Sequence, residues 1–257
     1  MSSLEYQGIR LSSSFQPIIN VRHQRVVGYE AFIRGTSRQH QYNTTSPTIL
    51  FNLAAQLDQL ATLDQLCRLS HCESFSTQDA TDNWLFFKQT ADLVKQDILH
   101  SYALEQLLKQ SLLPPYQLII ELSKKTFGDE MLLVEAASIY KNMGLLVAID
   151  DVEINNVSAY QIERIKPDII KLNLHNHHET AGQHDASHFF TNIVSISNEV
   201  GSLCIVSTVE TEKQAVLALS SGIDLLQGNL LSMPSPSLYA GSSGLHQQAQ
   251  QLQHYLL

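Results

Sequence analysis

The chain has 257 residues, of which 44% are hydrophobic and 16% are charged, and its formal net charge is −9. This length and apolar content exclude a wholly disordered chain and suit a single α/β barrel domain. The acidic balance also disfavours non-specific nucleic-acid binding, because an acidic surface and a phosphate backbone repel each other.

The N-terminus and the cysteines give no sign of export. The first residues lack the charged start and apolar run of a signal peptide, and no stretch approaches the roughly 20 apolar residues of a membrane span. Cys67, Cys72 and Cys204 are odd in number and irregularly spaced, which favours reduced thiols over a disulfide scaffold. We therefore expect a soluble, cytoplasmic protein without a membrane segment.

Short apolar runs alternate with amphipathic segments along the chain. The runs predict eight buried strands: Phe15–Asn20, Val26–Ile33, Trp84–Lys88, Gln117–Leu122, Leu145–Asp150, Asp168–Asn173, Leu203–Thr208 and Ile223–Leu226. The amphipathic segments predict helices: Pro47–Cys72, Ala91–Gln110, Phe127–Met143, His188–Val200, Glu212–Ser221 and His246–Leu257. Gly144 and Gly201 each follow a predicted helix, where a glycine with positive φ commonly ends one.

This alternation predicts an α/β fold, a (β/α)8 barrel of the TIM type. The segment Val21–Arg25, which separates the first two strands, is too short for a helical crossover, so these strands should form an antiparallel pair. We expect residues 1–14 to be an N-terminal lead-in and residues 15–257 to form the barrel domain.

Acidic and polar residues occur near the carboxyl ends of the predicted strands, where barrel enzymes place their chemistry. They are Glu30, Glu121, Asp150, Asp151, Lys171, Glu210 and Gln227. Converging carboxylates repel one another unless a cation relieves the repulsion, and all-oxygen ligands suit Mg²⁺ or Mn²⁺. Two such ions would polarise a phosphodiester and activate water. The competing interpretation is that these side chains cap helices and pair with nearby Lys and Arg.

Several short motifs follow one another in a recognisable order. Phe15-Gln16-Pro17-Ile18-Ile19 is followed by Gly28-Tyr29-Glu30-Ala31-Phe32-Ile33-Arg34, and then by Ile120-Glu121-Leu122, Ala148-Ile149-Asp150-Asp151, Pro167-Asp168-Ile169-Ile170-Lys171, Val209-Glu210-Thr211-Glu212 and Leu226-Gln227-Gly228, with Pro234 last. This order resembles that of EAL domains, a family named for its Glu-Ala-Leu signature. The resemblance covers residues 15–234 and implies a barrel that binds cyclic-di-GMP and, with Mg²⁺ or Mn²⁺, linearises it.

Four departures from the family pattern concern the metal centre and its loop. Lys88 stands where the family has a metal-binding Asn, and a charged ammonium has no lone pair for a cation. Lys124 stands where the family has a Glu that steadies the loop after the Asp-Asp pair. Ser207 stands where the family has its catalytic Glu. The loop itself reads Val152-Glu153-Ile154-Asn155 and lacks the family's two glycines.

These departures predict a degenerate member that is catalytically inactive. The acids and the lysine would be remnants of the site: Glu30, Glu121, Asp150, Asp151, Lys171 and Glu210. No metal or other cofactor is expected, and Mg²⁺ or Mn²⁺ would matter only if the site were active. Without an ion the four crowded acids Glu30, Glu121, Asp150 and Asp151 need another cation, so we hypothesise that Lys88 takes roughly the place of the ion and pairs with them. The alternative is that Lys88 points into solvent.

Ligand contacts involve a partly different set of residues. The resemblance implies that nucleotide is contacted by Gln16, Glu30, Phe32, Arg34 and Gln227. Arg34 could hold a phosphate with its planar fork, or it could form an ordinary ion pair. Phe32 is larger than the Leu of the family and could crowd the pocket.

Three functions therefore stay open. The retained Gln16 and Arg34 favour a receptor or regulator that binds cyclic-di-GMP without cleaving it. The lost metal ligands favour a regulator that acts on a protein partner and binds no nucleotide, and an active phosphodiesterase is the third. The resemblance also implies a homodimer formed through the region after Lys171. That region contains the polar stretch His175–Ser187, whose histidines could chelate a transition metal, although polar loops often collect histidines without one.

Overall fold

The computed structural model describes residues 4–37, 44–78, 82–100, 102–123, 128–152, 159–174, 183–238 and 242–254. The strands within these ranges are β1 (Glu5–Tyr6), β2 (Ile9–Asn20), β3 (Arg25–Ser37), β4 (Thr44–Thr45), β5 (Trp84–Lys88), β6 (Leu118–Ser123), β7 (Leu146–Val152), β8 (Ile169–Asn173), β9 (Leu203–Ser207) and β10 (Leu225–Leu226). The helices are α1 (Pro47–Gln56), α2 (Leu60–Ser76), α3 (Ala91–Leu99), α4 (Tyr102–Gln110), α5 (Glu130–Asn142), α6 (Ala159–Ile165), α7 (Gln183–Val200), α8 (Glu212–Ser220) and α9 (Ser242–Gln253).

Eight of these strands close into a barrel. Their order is β2-β3-β5-β6-β7-β8-β9-β10, and β10 pairs back onto β2. Strand β2 runs antiparallel to both of its barrel neighbours, and the other neighbouring pairs are parallel. The predicted (β/α)8 barrel with an antiparallel first strand pair is therefore confirmed. We call the end of the barrel at the carboxyl ends of the parallel strands the mouth.

The first hairpin is longer than the sequence pattern predicts. Strand β2 starts at Ile9, so residues 9–14 lie in a strand although the predicted lead-in includes them. These residues pair with the extension of β3 up to Ser37. Apolar side chains on this extension, such as Leu11 and Ile33, pack against Leu50 and Leu63 of α1 and α2. This separate small core explains why the hairpin continues past the barrel.

Two of the predicted helices are each divided into two. The stretch predicted as Pro47–Cys72 breaks between α1 and α2, where Asp58 has a positive φ of 55°. The stretch predicted as Ala91–Gln110 forms α3 and α4. Helix α6 is absent from the prediction, and its seven residues are too few for a clear apolar stripe. Gly144 and Gly201 have φ of 83° and 75°, as predicted for glycines that follow a helix.

The barrel interior has an apolar floor. Seven of the strands each contribute one buried side chain: Ile18, Phe86, Ile119, Ala148, Ile169, Ile205 and Leu225. The larger apolar core fills the space between the outer face of the barrel and the helices. Because successive strand residues point to opposite faces, residues two positions from a floor residue also point into the barrel. In the part of the chain that the structure describes, no helix is long and apolar enough to cross a membrane.

Candidate functional site

A polar layer lies directly above the apolar floor, at the mouth of the barrel. Seven barrel strands each contribute one of its residues, and the eighth residue directly follows β10: Gln16, Glu30, Lys88, Glu121, Asp150, Lys171, Ser207 and Gln227. Lys88 follows Phe86 by two positions, and Lys171 follows Ile169 by two, so the alternation that buries the floor also turns these side chains inward. All members except Lys88 are buried. The strand pattern thus gathers most of the predicted site residues in one place.

Lys171 pairs with the two glutamates of the polar layer. Its Nζ lies 2.8 Å from Glu30 Oε2 and also contacts Glu121 Oε1. The side chain of Lys171 is only 1% exposed. Burial alone would lower the pKa of Lys171, but the charges of Glu121, Glu30 and Asp150 outweigh burial and raise it. The lysine therefore stays charged and acts as the internal counter-ion of both glutamates.

Glu121 is the most perturbed acid of the layer. Burial and the nearby charge of Glu30 raise the pKa of Glu121 to about 8, against the opposing effect of Lys171. Its second oxygen, Oε2, is buried and has no hydrogen-bond partner among the residues that the structure describes. Burial favours the neutral carboxyl over the carboxylate, so the raised pKa and the unpartnered oxygen both reflect the incomplete compensation of Glu121 by Lys171.

Two glutamine side chains complete this side of the layer. Gln227 Nε2 donates to Glu30 Oε2 at 2.7 Å and to Gln16 Oε1 at 3.2 Å. Gln16 Nε2 in turn donates to the carbonyl of Ser232 at 2.9 Å and to Asn229 Oδ1 at 3.2 Å. Sequence reasoning did not single out Asn229 or Ser232. These bonds hold Glu30 by amide groups on one side and by Lys171 on the other.

Lys88 pairs with the aspartates on the other side of the layer. Its Nζ lies 2.6 Å from Asp150 Oδ2 and 3.9 Å from Asp151 Oδ2, and its side chain is 53% exposed. The hypothesis of pairing with all four acids therefore needs correction: the two glutamates pair with Lys171 instead. Burial opposes the charge of Lys88, but the charges of Asp150, Glu30 and Glu121 raise its pKa. Asp150 is buried, and the positive charges of Lys171 and Lys88 outweigh that burial and lower its pKa.

Asp151 is linked to the ends of the next two strands. Asn173 Nδ2 donates to Asp151 Oδ1 at 2.9 Å, and Thr208 Oγ1 lies 2.9 Å from Asn173 Oδ1. Both Asp151 and Thr208 have positive φ, 56° and 59°, which is costly for a β-branched residue such as Thr208. Sequence reasoning missed Asn173, although it follows Lys171 by two positions and so lies on the same face of β8.

Phe32 and Arg34 continue the inner face of β3 beyond Glu30. The Arg34 guanidinium lies 5.8 Å from the centre of the Phe32 ring, and Nη1 donates to the carbonyl of Ile33 at 2.9 Å. Both side chains are partly buried, and burial lowers the pKa of Arg34. Among the described residues Arg34 has no carboxylate within ion-pair distance, so the alternative of an ordinary ion pair has no partner within that part of the chain.

Of the remaining predicted residues, one lies in the layer, one lies apart from it, and the others are not among the residues that the structure describes. Ser207 is buried in the layer, but its hydroxyl donates to the carbonyl of Leu172 at 3.1 Å. Glu210 is exposed beyond the end of β9. Lys124, residues 153–155 and most of the stretch His175–Ser187 lie outside the described residues.

The polar layer does not fit a divalent cation. Mg²⁺ and Mn²⁺ need several oxygen ligands that are free to coordinate. Here ammonium groups pair with Glu30, Glu121 and Asp150. Among the described residues, Glu121 Oε2, Asp150 Oδ2 and Gln227 Oε1 are buried without a hydrogen-bond partner, and Asp150 Oδ2 lies 2.6 Å from the Lys88 ammonium. In the part of the chain that the structure describes, no three His, Cys, Asp or Glu residues are grouped so that they could hold a metal ion. A cation could bind only after displacing a lysine.

A second buried set of polar residues holds the turn that follows Lys88. We call it the helix-side cluster, and its members are Asp64, Arg68, Gln89, Asp97 and Tyr140. Arg68 of α2 binds both carboxylate oxygens of Asp97 and also donates to Gln89 Oε1. Asp64 accepts from the backbone N–H of Thr90 at 2.6 Å, and Tyr140 donates to Asp97 at 2.8 Å. The two residues after Lys88 are thereby fixed to α2.

Comparison with known proteins identifies the class of domain. The EAL domain model matches residues 4–234, so the chain belongs to the EAL domain family. The chain is 23% identical over 225 residues to the uncharacterized EAL-domain containing protein YkuI of Bacillus subtilis, covering 86% of this chain and 54% of that protein. It is 20% identical to the probable cyclic di-GMP phosphodiesterase PdeN of Escherichia coli, covering 87% and 43%. The chain thus spans about half the length of these relatives.

Solved structures show the same fold. A crystal structure of B. subtilis YkuI in complex with substrate c-di-GMP and calcium superposes with a TM-score of 0.78 at 20% identity, covering 95% of this chain and 62% of that one. A c-di-GMP complex of the PaMucR phosphodiesterase gives a TM-score of 0.74 at 21% identity, covering 88% and 92%. These likenesses establish the EAL barrel architecture for this chain.

Proposed function

We propose that this EAL domain is a cyclic-di-GMP receptor or regulator that binds the nucleotide without hydrolysing it. The observation that carries the proposal is the pairing of the acids in the polar layer with two lysines of the same chain. Lys171 pairs with Glu30 and Glu121, and Lys88 pairs with Asp150. Carboxylates that are already bound to ammonium groups are poor metal ligands, and hydrolysis by this family depends on metal.

The position of Ser207 supports the same proposal. A hydroxyl at this place of the layer has no charge to hold a cation, and its proton is donated to a backbone carbonyl. Loss of a general base costs about 10²–10⁴ in rate. Hydrolysis therefore lacks both a free set of metal ligands and a base at this strand end.

Binding of the nucleotide is supported by two side chains that do not pair with the acids of the layer. Gln16 lies at the mouth with its amide held in place, and Arg34 has no carboxylate partner among the described residues. A guanidinium with free donors suits a phosphodiester, which accepts paired N–H groups in one plane. Related EAL structures are described as c-di-GMP complexes, which is consistent with this assignment.

A calorimetric titration with cyclic-di-GMP, combined with a hydrolysis assay in Mn²⁺, tests the proposal. We expect binding heat and an intact dinucleotide after prolonged incubation. Formation of linear product by the wild-type chain would contradict the inactive assignment. The variant Lys88→Asn/Lys124→Glu/Ser207→Glu restores the family residues at three positions. It should gain measurable cleavage if the departures are what disables the site.

A second function is a protein-interaction module that binds no nucleotide. It is favoured by large apolar side chains exposed in the stretch 99–116: Leu99, Tyr102, Leu112 and Tyr116. Exposed apolar side chains that are close in sequence are typical of surfaces that bind a partner. The absence of binding heat in the titration, with and without Mg²⁺, would favour this function over the receptor.

A further inference from the structure

We propose that the Lys88 ammonium group replaces a divalent cation as the phosphate-binding charge of the polar layer, so that nucleotide binding needs no Mg²⁺ or Mn²⁺. The inference rests on the proposed function, because it names the charge that would recognise the nucleotide. It extends that function by predicting how binding responds to metal ions and by assigning a role to a residue that departs from the family pattern.

The two lysines of the polar layer differ in how exposed their side chains are. Lys171 is buried, and its ammonium is taken up by two glutamates. Lys88 is 53% exposed, and its nearest acidic contact is a single oxygen of Asp150. An ammonium has three donors, so Lys88 keeps donors that are accessible from the mouth. A ligand that enters the barrel therefore meets Lys88 and not Lys171.

The strand register brings a second cation near Lys88. Glu30 of β3 and Phe86 of β5 are the last paired residues of these two parallel strands, and continuing the same register places Phe32 level with Lys88. Arg34 then lies about 7 Å further along β3, on the same inward face. Its guanidinium bonds only to a backbone carbonyl among the described residues. Two cations on adjacent strands thus face the open end, which suits an anionic dinucleotide with two phosphodiester groups.

Pairing with Asp150 explains why Lys88 should exclude a metal ion. A divalent cation bound to Asp150 would lie close to the ammonium, and the two like charges would repel each other strongly at this distance. Asp150 is buried, and its Oδ2 already lies 2.6 Å from the Lys88 ammonium, so that oxygen is occupied by a positive charge. A cation would have to displace Lys88 before it could coordinate.

Three variants test the inference. Lys88→Met removes the charge and offers no ligand, and Lys88→Asn removes the charge and offers an amide oxygen. Lys141→Met is the matched control, because Lys141 pairs with Asp168 at 3.3 Å with comparable partial exposure but at the opposite end of the barrel. Each protein is titrated with Mn²⁺ alone, followed by electron paramagnetic resonance, and with cyclic-di-GMP in EDTA or in excess Mg²⁺.

We expect the wild type to bind Mn²⁺ about tenfold or more weakly than Lys88→Asn does, and to bind the nucleotide equally in EDTA and in Mg²⁺. Lys88→Met should lose about tenfold or more in nucleotide affinity, because a hydrogen bond to a charged group is lost, whereas Lys141→Met should not change it. Equal Mn²⁺ binding by wild type and Lys88→Asn would overturn metal exclusion. Nucleotide binding that strengthens more than about tenfold with Mg²⁺ would overturn cation independence.

The nucleotide titration and the Mn²⁺ titration test different parts of the inference, so a negative result in one does not decide the other. If no variant binds the nucleotide under any condition, the proposed receptor function is wrong, and the phosphate-binding role of Lys88 falls with it. The Mn²⁺ titration does not depend on the nucleotide, so it still decides whether Lys88 excludes metal. Unchanged nucleotide affinity in Lys88→Met, with normal binding by the wild type, would overturn the phosphate role while leaving the receptor function intact.

Discussion

The polar layer and the helix-side cluster solve the problem of burying charge in different ways. In the helix-side cluster, Arg68 binds both oxygens of Asp97, and Tyr140 donates to the same carboxylate. The Arg68 and Asp97 side chains are almost completely buried. In the polar layer the cations are lysines, one acid is held close to its protonated form, and Lys88 is half exposed.

This difference separates a structural cluster from one suited to ligands. A guanidinium that forms two bonds to one carboxylate is fixed in direction and has little freedom to change partners. An ammonium on a flexible stem can exchange one acceptor for another. We infer that the helix-side cluster stabilises the fold and holds the turn after β5, whereas the polar layer gives up some stability to keep Lys88 available. Substitutions in the two clusters should therefore have different effects.

The largest loss of stability is expected from Arg68→Met in the helix-side cluster. Removing the guanidinium leaves Asp97 buried without its cation, which typically costs about 3–5 kcal/mol. The free energy of unfolding from urea denaturation measures the effect. Arg164→Met is the matched control, because Arg164, like Arg68, pairs with a carboxylate of another helix (Glu130, at 2.8 Å) but is 39% exposed. The control should lose less than about 1 kcal/mol, and equal losses in the two variants would contradict the structural role of the cluster.

Lys171→Met should destabilise the protein less than Arg68→Met does. Two buried glutamates lose their counter-ion, but Glu121 can take up a proton and relieve part of the penalty, so we expect about 2–3 kcal/mol at pH 7. The same urea denaturation gives the value, with Lys141→Met as the partly exposed control. A loss greater than that of Arg68→Met would reverse the proposed ranking of the two clusters.

Glu121→Gln should remove a pH dependence rather than a fixed amount of stability. The folded protein holds the Glu121 proton more tightly than the unfolded chain, whose pKa is near 4.5, because burial and Glu30 raise the folded pKa to about 8. The stability that this proton contributes is complete below pH 4.5 and is lost as the pH rises to about 8. The variant should therefore gain on the wild type by up to about 1.4 kcal/mol per pH unit across this window.

The check on Glu121 is a series of urea denaturations between pH 5 and 8 for wild type and variant. Glu210→Gln is the control, since Glu210 is an exposed carboxylate near the same end of the barrel. The pH-dependent gain of Glu121→Gln is measured relative to this variant, which also loses one carboxylate. A Glu121→Gln difference that is constant with pH would mean that Glu121 is ionised throughout the range.

The sequence predicts the polar layer better than it predicts the helix-side cluster, for a physical reason. Seven members of the layer lie two positions from the floor residue of their strand, before it in the antiparallel strand β2 and after it elsewhere. Glu30 lies two positions after Gly28, which pairs with the floor residue Ile18. Strand alternation therefore locates the layer once the barrel is recognised. Arg68, Gln89 and Asp97 come from a helix, a turn and another helix, and no local period connects them. Their partnership is visible only after the helices have packed.

The sequence pattern also does not predict which residues of the polar layer pair with each other. Lys171 and Lys88 both point into the barrel by alternation, but which acid each one binds depends on strand register and side-chain length. The hypothesis gave all four acids to Lys88, whereas Lys171 takes the two glutamates. In the same way, no sequence pattern marked the break at Asp58, whose φ is positive although it is not a glycine.

The smallest loss of stability is expected from Lys88→Met, although Lys88 pairs with a buried aspartate. Its ammonium is half exposed, so water screens the pair, and Asp150 keeps the favourable charge of Lys171. We expect a loss of about 1 kcal/mol or less in urea denaturation at pH 7. Asp150→Asn, which removes the buried partner of the pair, serves as the comparison. A loss for Lys88→Met that approaches the value for Arg68→Met would mean that Lys88 is a structural counter-ion, with no charge to spare for a phosphate.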